Sequence, residues 1–375
     1  MQKAMLGHEV IDLSKLTKPE MVRLNRRQAF FCITCKKPVI FKNGARKRAH
    51  FAHQKEGLSI SRPESAAHLL VKHAMAKWLK SQGIDAKIEQ RFTTIDRIAD
   101  IYFEYQKAQY VLEIQKSPMS DLEFKQRTLD YQSVDATVWW IFLGDVTQKA
   151  HTFRLPPVML GRGAQRLFHF CTQTAQLRFF EAPVFVTTRD IYAKSICQRL
   201  SSFQIDDLLK KDDCEKGMHF DRMWLAIKKQ FRIRGWFYLA KSEKKLLEQC
   251  LIRGFNLSLL PTEIGWPVTG DAMRKPLFVW QSYVLLTIMK QFNIGDVFTL
   301  DQLIRLLKIE YQVVIRSGVS HQVRAYLKWL VMFNIITAQQ ASFKYVKLPT
   351  IRLRMEEQLS RDKRFVDTVE KLWKV

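Results

Sequence analysis

The stretch Asp96 to Ser117, DRIADIYFEYQKAQYVLEIQKS, decides the fold. Two runs rich in Ile, Tyr, Phe, Val and Leu, Ala99 to Tyr105 and Tyr110 to Gln115, read as strands joined by a hairpin turning near Gln106 to Gln109. Side chains alternate faces along a strand, so Glu113 and Gln115 share a face with Val111 while Leu112 and Ile114 pack to the other side. The hairpin returns Glu113 to within reach of Asp100, which opens the first strand. Two carboxylates converging on one point bind a hard divalent cation such as Mg2+ or Mn2+, and such an ion polarises a phosphodiester and activates water. The expectation is a metal site for phosphate-ester cleavage on Asp100 and Glu113.

Working outward, Arg62-Pro63-Glu64 reads as a helix start, with proline in the first turn where its missing N–H is no loss. Leu69, Leu70, His73, Ala76, Trp78 and Leu79 give that helix an apolar face, and Gly83 stops it. Ala86 to Phe92 is a further strand, Ser120 to Tyr131 a second helix and Thr137 to Leu143 a last strand, closed by Gly144. Helix, three strands, helix, strand is an α/β core, expected over residues 58–150. Glu64, His68 and Lys72 lie four apart on one face of the first helix, as do Arg127 and Tyr131 on the second. The plainer reading of such rows is a solvated ladder of ion pairs.

Beyond residue 150 a mainly helical domain is expected, 151–375. Asp145 to Val186, with Pro156, Pro157 and Pro183, reads as irregular or β-rich, followed by helices at Asp190 to Leu209, Phe220 to Ile233, Lys241 to Arg253 and Pro276 to Phe292. The last part, Val297 to Lys308, Ser317 to Phe333, Ile335 to Thr337 and Phe343 to Leu348, reads helix, helix, strand, strand. That order resembles a winged helix, whose second helix enters a DNA groove, with His321, Arg324 and Lys328 as its polar edge. A generic packing unit gives the same order.

Residues 1–57 form a separate module, zinc-finger-like in its ligands. Cys32 and Cys35 make a C-x2-C pair, and His50 and His53 add two imidazoles, which together suit a tetrahedral structural zinc. Strand alternation would put His50 and His53 on opposite faces, so zinc binding by both requires a turn between them. The alternative is a reduced cysteine pair beside histidines that merely pack. Lys42, Arg46, Lys47 and Arg48 lie between these ligands with no acidic residue among them, a density suited to DNA phosphates or, more plainly, to a solvated loop.

The formal net charge over 375 residues is +25, an imbalance that a polyanionic partner explains and a neutral one does not. DNA is the expected partner. A membrane surface is the competing one, but the sequence carries no long apolar run and no signal peptide at its polar start. Besides the Cys32–Cys35 pair, Cys171, Cys197, Cys214 and Cys250 are scattered without a framework spacing, which suits a reducing compartment and hence an expected cytoplasmic location. With 47% hydrophobic residues the chain has ample material for packed cores.

The runs Phe31-Cys32-x2-Cys35 with Pro38-Val39-Ile40, His50-Phe51-Ala52-His53, Pro63-Glu64-Ser65-x2-His68-x3-Lys72, Asp100, Glu113-Ile114-Gln115-Lys116-Ser117 and Arg127-Thr128-x2-Tyr131 resemble successive landmarks of the competence protein CoiA family. The resemblance covers residues 30 to about 143. It implies a PD-(D/E)XK nuclease-like core, with Asp100 and Glu113 as metal ligands, Gln115 where most such nucleases place a lysine, and Glu64 as a helix-borne carboxylate. Lys72 and Arg127 are then expected on DNA.

Glutamine supplies an amide where lysine would place a charge beside the attacking water, and Lys116 falls on the opposite strand face. Two functions follow. The first is a divalent-metal-dependent deoxyribonuclease acting on single-stranded or branched DNA during uptake or recombination in natural transformation. The second is a non-catalytic DNA-binding mediator that helps load a recombinase.

Overall fold

The computed structural model describes residues 3–7, 9–17, 20, 29–33, 38–44, 47–53, 66–160, 166–209, 222–237, 239, 243–311 and 318–373, in two compact units, Met1–Glu64 and Ser65–Val375.

The first unit is an antiparallel sheet in the order β2-β1-β3-β4-β5, built from β1 (Lys3–Leu6), β2 (Glu9–Asp12), β3 (Phe30–Phe31), β4 (Pro38–Gly44) and β5 (Lys47–His53). Ala4, Leu13, Phe30, Cys32, Val39, Phe41 and Phe51 form its core, with the Phe51 ring between those of Phe30 and Phe41. β5 runs unbroken through both histidines, so the turn expected between them is absent. Lys42 pairs in register with His50, and Val39 with His53.

The second unit begins with α1 (Ala66–Ser81). Val71, Met75 and Leu79, four apart, form its buried stripe with Trp78, and Gly83 follows in the left-handed conformation. Arg62, Pro63 and Glu64 lie outside the described residues. Strands β6 (Ala86–Phe92), β7 (Arg97–Tyr105) and β8 (Ala108–Gln115) form an antiparallel meander. α2 (Asp121–Gln132), whose N-cap Ser120 accepts from the Glu123 amide, crosses to β9 (Ala136–Phe142), which pairs parallel to β8. α1 packs on Ile101, Phe103, Leu112 and Ile114, while Val111 packs with Tyr131 of α2. The expected alternation along β8 is therefore the one found.

The sheet does not end at the expected boundary of residue 150. It continues through β10 (Thr147–Gln148), β11 (Phe153–Arg154), β12 (Arg166–Cys171), β13 (Gln176–Phe185) and β14 (Asp190–Arg199) in the order β10-β11-β14-β13-β12-β9-β8-β7-β6. The helix expected from Asp190 to Leu209 is thus β14, followed by a short α3 (Ile205–Leu209). Cross-strand pairing with β13 from Phe185↔Ile191 to Gln176↔Arg199 outweighs the local apolar spacing that suggested a helix. The mainly helical region accordingly starts near residue 200 rather than 151.

It comprises α4 (Arg222–Gln230), extended by a π-turn to Gly235, α5 (Lys244–Ile252) and α6 (Leu277–Gln291), then β15 (Val297–Thr299), α7 (Leu300–Tyr311), α8 (Val319–Met332), β16 (Ile336–Ala338), β17 (Ser342–Tyr345) and α9 (Met355–Trp373). α6 is buried from Leu277 through Ile288, as a helix apolar all round must be. The last three strands pair in the order β15-β17-β16. Helical region and large sheet join through Leu277 N to Val186 O and a bridge between Val184 and Gly270. No helix among the described residues is long and apolar enough to cross a membrane.

Candidate functional site

Beyond the Ile101↔Leu112 pair the β7–β8 ladder stops, and the Ile114 amide donates instead to Asp100 Oδ2 at 2.8 Å. The same oxygen lies 3.1 Å from His68 Nε2, which also sits 2.9 Å from the Ile114 carbonyl. One helical turn on, Lys72 Nζ reaches Asp100 Oδ1 at 3.4 Å and Glu89 Oε1 at 3.0 Å. Burial alone would raise the Asp100 carboxyl, but the hydrogen bond and charge of His68, the Ile114 amide and the Lys72 charge outweigh it and hold the carboxyl below its usual range.

Glu113 is more deeply enclosed, at 2% exposure. Tyr131 Oη donates to its Oε1 at 2.5 Å and Arg127 NH2 to its Oε2 at 2.6 Å, so each carboxylate oxygen accepts one hydrogen bond. Burial pushes this carboxyl up to about 7 against the opposing charge of Arg127. Burial and the Glu113 charge push the Tyr131 hydroxyl up as well. The guanidinium also lies over the Trp140 ring at 5.4 Å, and Trp140 Nε1 donates to Thr128 Oγ1.

The His68–Lys72 and Arg127–Tyr131 rows therefore point inward rather than into solvent, against the plainer ladder reading. His68 and Lys72 serve Asp100, and Arg127 and Tyr131 serve Glu113. Lys72 is 1% exposed, so the ammonium expected on DNA is spent on two carboxylates. Gln115 Nε2 donates to the Ser117 carbonyl at 2.5 Å, clear of both acids in its bonding. Glu89 is the residue that sequence reasoning missed. Its strand register places it opposite Asp100, between Ile88↔Ile101 and Gln90↔Ala99, a pairing visible only once β6 is aligned with β7.

Each Glu113 oxygen already accepts a hydrogen bond, the charges of the acid pair are matched by Arg127 and Lys72, and no three carboxylate, histidine or cysteine groups among the described residues form a metal-holding cluster, so this arrangement favours protein cations over a divalent ion. Glu64 lies outside the described residues. In the N-terminal unit Cys32 is buried beside Phe51, Lys42 is exposed, and Cys35, Arg46 and the side chains of Lys47, Arg48 and His53 are likewise outside the description.

Three family models match the chain. They are described as the N-terminal domain of competence protein CoiA, matching residues 13–58, its nuclease-like domain, matching 64–213, and its C-terminal domain, matching 220–359. The second ends just past the last strand of the large sheet, in accord with a unit that does not stop at residue 150. A curated relative, "Competence protein CoiA" of Bacillus subtilis (strain 168), is 24% identical over 272 residues, covering 70% of this chain and 72% of that protein. No solved structure matches.

Proposed function

Because this chain belongs to the competence protein CoiA family, with a nuclease-like domain at its centre, we propose that it handles DNA in natural transformation, acting in the cytoplasm on single-stranded or branched DNA during uptake or recombination. The reading best supported by the geometry is a DNA-binding mediator built on a nuclease-like core, acting beside a recombinase. One observation supports it: both oxygens of Glu113 accept from Arg127 and Tyr131, so a protein cation already balances the more buried acid and lessens its pull on a divalent ion. The net charge of +25 supports the choice of partner.

A second reading, a Mg2+- or Mn2+-dependent nuclease on Asp100 and Glu113, has its own observation in the meeting of these acids where β7 and β8 part. It requires the ion to compete with Arg127 for the Glu113 charge. Structural zinc on Cys32, Cys35, His50 and His53 and a winged helix near the C-terminus also belong to the proposal. The unbroken β5 shifts the weight of the zinc reading onto the cysteine pair with one histidine.

The test is incubation of purified protein with labelled single-stranded, duplex and branched DNA, with and without Mg2+ or Mn2+. The expected result is salt-sensitive binding without cleavage. Metal-dependent cleavage that disappears in Asp100→Ala and Glu113→Ala would replace the mediator with the nuclease.

A further inference from the structure

The helix α8 is polar on one side only. Val319, Gln322, Val323, Tyr326, Leu327, Trp329 and Leu330 are buried, whereas Ser320, His321, Arg324 and Lys328 are exposed. Its 14 residues include no acid, and among the described residues Arg324 and Lys328 make no ion pair. The buried side is pinned by side-chain bonds to the segment that precedes α6. Gln322 takes the Met273 amide and donates to Gly270 O, Tyr326 donates to Glu263 O, and Trp329 donates to Pro267 O. The cationic side is thus presented by a helix fixed in orientation. Next to it in the chain, the β16–β17 hairpin leaves Thr337, Gln339, Gln340 and Lys344 exposed.

We infer that the exposed face of α8, with Arg324 and Lys328 at its centre and Lys344 on the hairpin beside it, is a docking surface for duplex DNA, separate from the Asp100–Glu113 centre. The inference rests on the DNA-handling reading and adds a second contact to it. A helix of this length is about 21 Å long, and its cationic, acid-free face complements the duplex backbone on either side of a major groove roughly 12 Å wide. The order helix, helix, hairpin is one in which the second helix takes the groove and the hairpin flanks it. Single strands are bound by aromatic platforms on which bases stack, and this face exposes no aromatic ring, because Tyr326 and Trp329 are turned inward.

The experiment measures affinity of the full chain for a labelled duplex and a single strand of equal length across a salt series. Arg324→Ala/Lys328→Ala should weaken duplex binding tenfold or more and lower the salt slope by about 2, one unit for each phosphate contact removed. Lys344→Ala should cost about threefold by the same counterion argument. Single-strand affinity should stay unchanged, and thermal midpoints should match wild type, since all three side chains are exposed. Duplex affinity unchanged in the double variant overturns the inference, and so does a loss confined to the single strand. A wild-type chain that binds no DNA of any form overturns the inference and the DNA-handling reading together, which separates that failure from the first two.

Discussion

Arg127 NH2 stands 2.6 Å from Glu113 Oε2, a salt bridge between a guanidinium with 21% of its side chain exposed and a carboxylate with 2%. The pair links α2 to the centre of β8. It places a protein cation against the more deeply buried of the two acids. Enclosure on this scale makes the pair sensitive to pH and to any change that unbalances its charges.

Burial raises the Glu113 carboxyl from 4.5 to about 7, so between those values the folded chain holds a proton that the unfolded chain has released. The resulting stabilisation is complete below about 4.5 and is lost as pH rises through about 7. It amounts to at most on the order of 3 kcal/mol. Denaturant melts of wild type and Glu113→Gln at pH 5 and pH 8 should differ, with wild type losing more stability at the higher pH. Parallel pH profiles for the two proteins would show that Glu113 is ionised throughout.

In the helical region Asp362 is fully buried, receives both Arg232 Nε and NH2, and lies 3.6 Å from Lys228 Nζ. Arg232 also donates to the Ser258 and Leu260 carbonyls, and Lys228 to those of Thr262 and Ile264, so the cluster satisfies a buried irregular loop. Burial drives the Lys228 ammonium down to about 8, against the charge of Asp362. Asp362→Asn leaves two buried cations short of their counterion and should cost about 3–5 kcal/mol. The denaturant midpoint should fall accordingly, and Arg232→Met in the same chain should restore part of it.

Freshly purified protein should carry about one zinc per chain, held through Cys32 and Cys35. Cys32→Ser with Cys35→Ser should remove it and loosen the N-terminal unit, while the second unit keeps its melting temperature. Metal analysis of the untreated protein decides the matter, and an absence of zinc leaves the cysteines as packing groups.

The order helix, three strands, helix, strand was legible because each element carries its own period and the hairpin at Gln106 to Gln109 is short. The strand Asp190–Arg199 was not, since its apolar residues suit a helix until β13 pairs with it. The partners of Asp100 and Glu113 were visible as spacings, His68 with Lys72 and Arg127 with Tyr131. Whether those rows faced water or the sheet depended on how each helix is rotated against the strands, which long-range packing sets. Glu89 had no local signal at all, because only the β6–β7 register brings it to Lys72.

The balancing of Glu113 by Arg127 is tested most directly by Mn2+ titration of the DNA-free protein, followed by electron paramagnetic resonance, in wild type, Arg127→Met and Arg127→Met/Glu113→Ala. The account predicts no tight Mn2+ site in wild type, a new site in Arg127→Met, and its loss when Glu113 is also removed. Tight binding of Mn2+ to wild type that disappears in Glu113→Ala would contradict it.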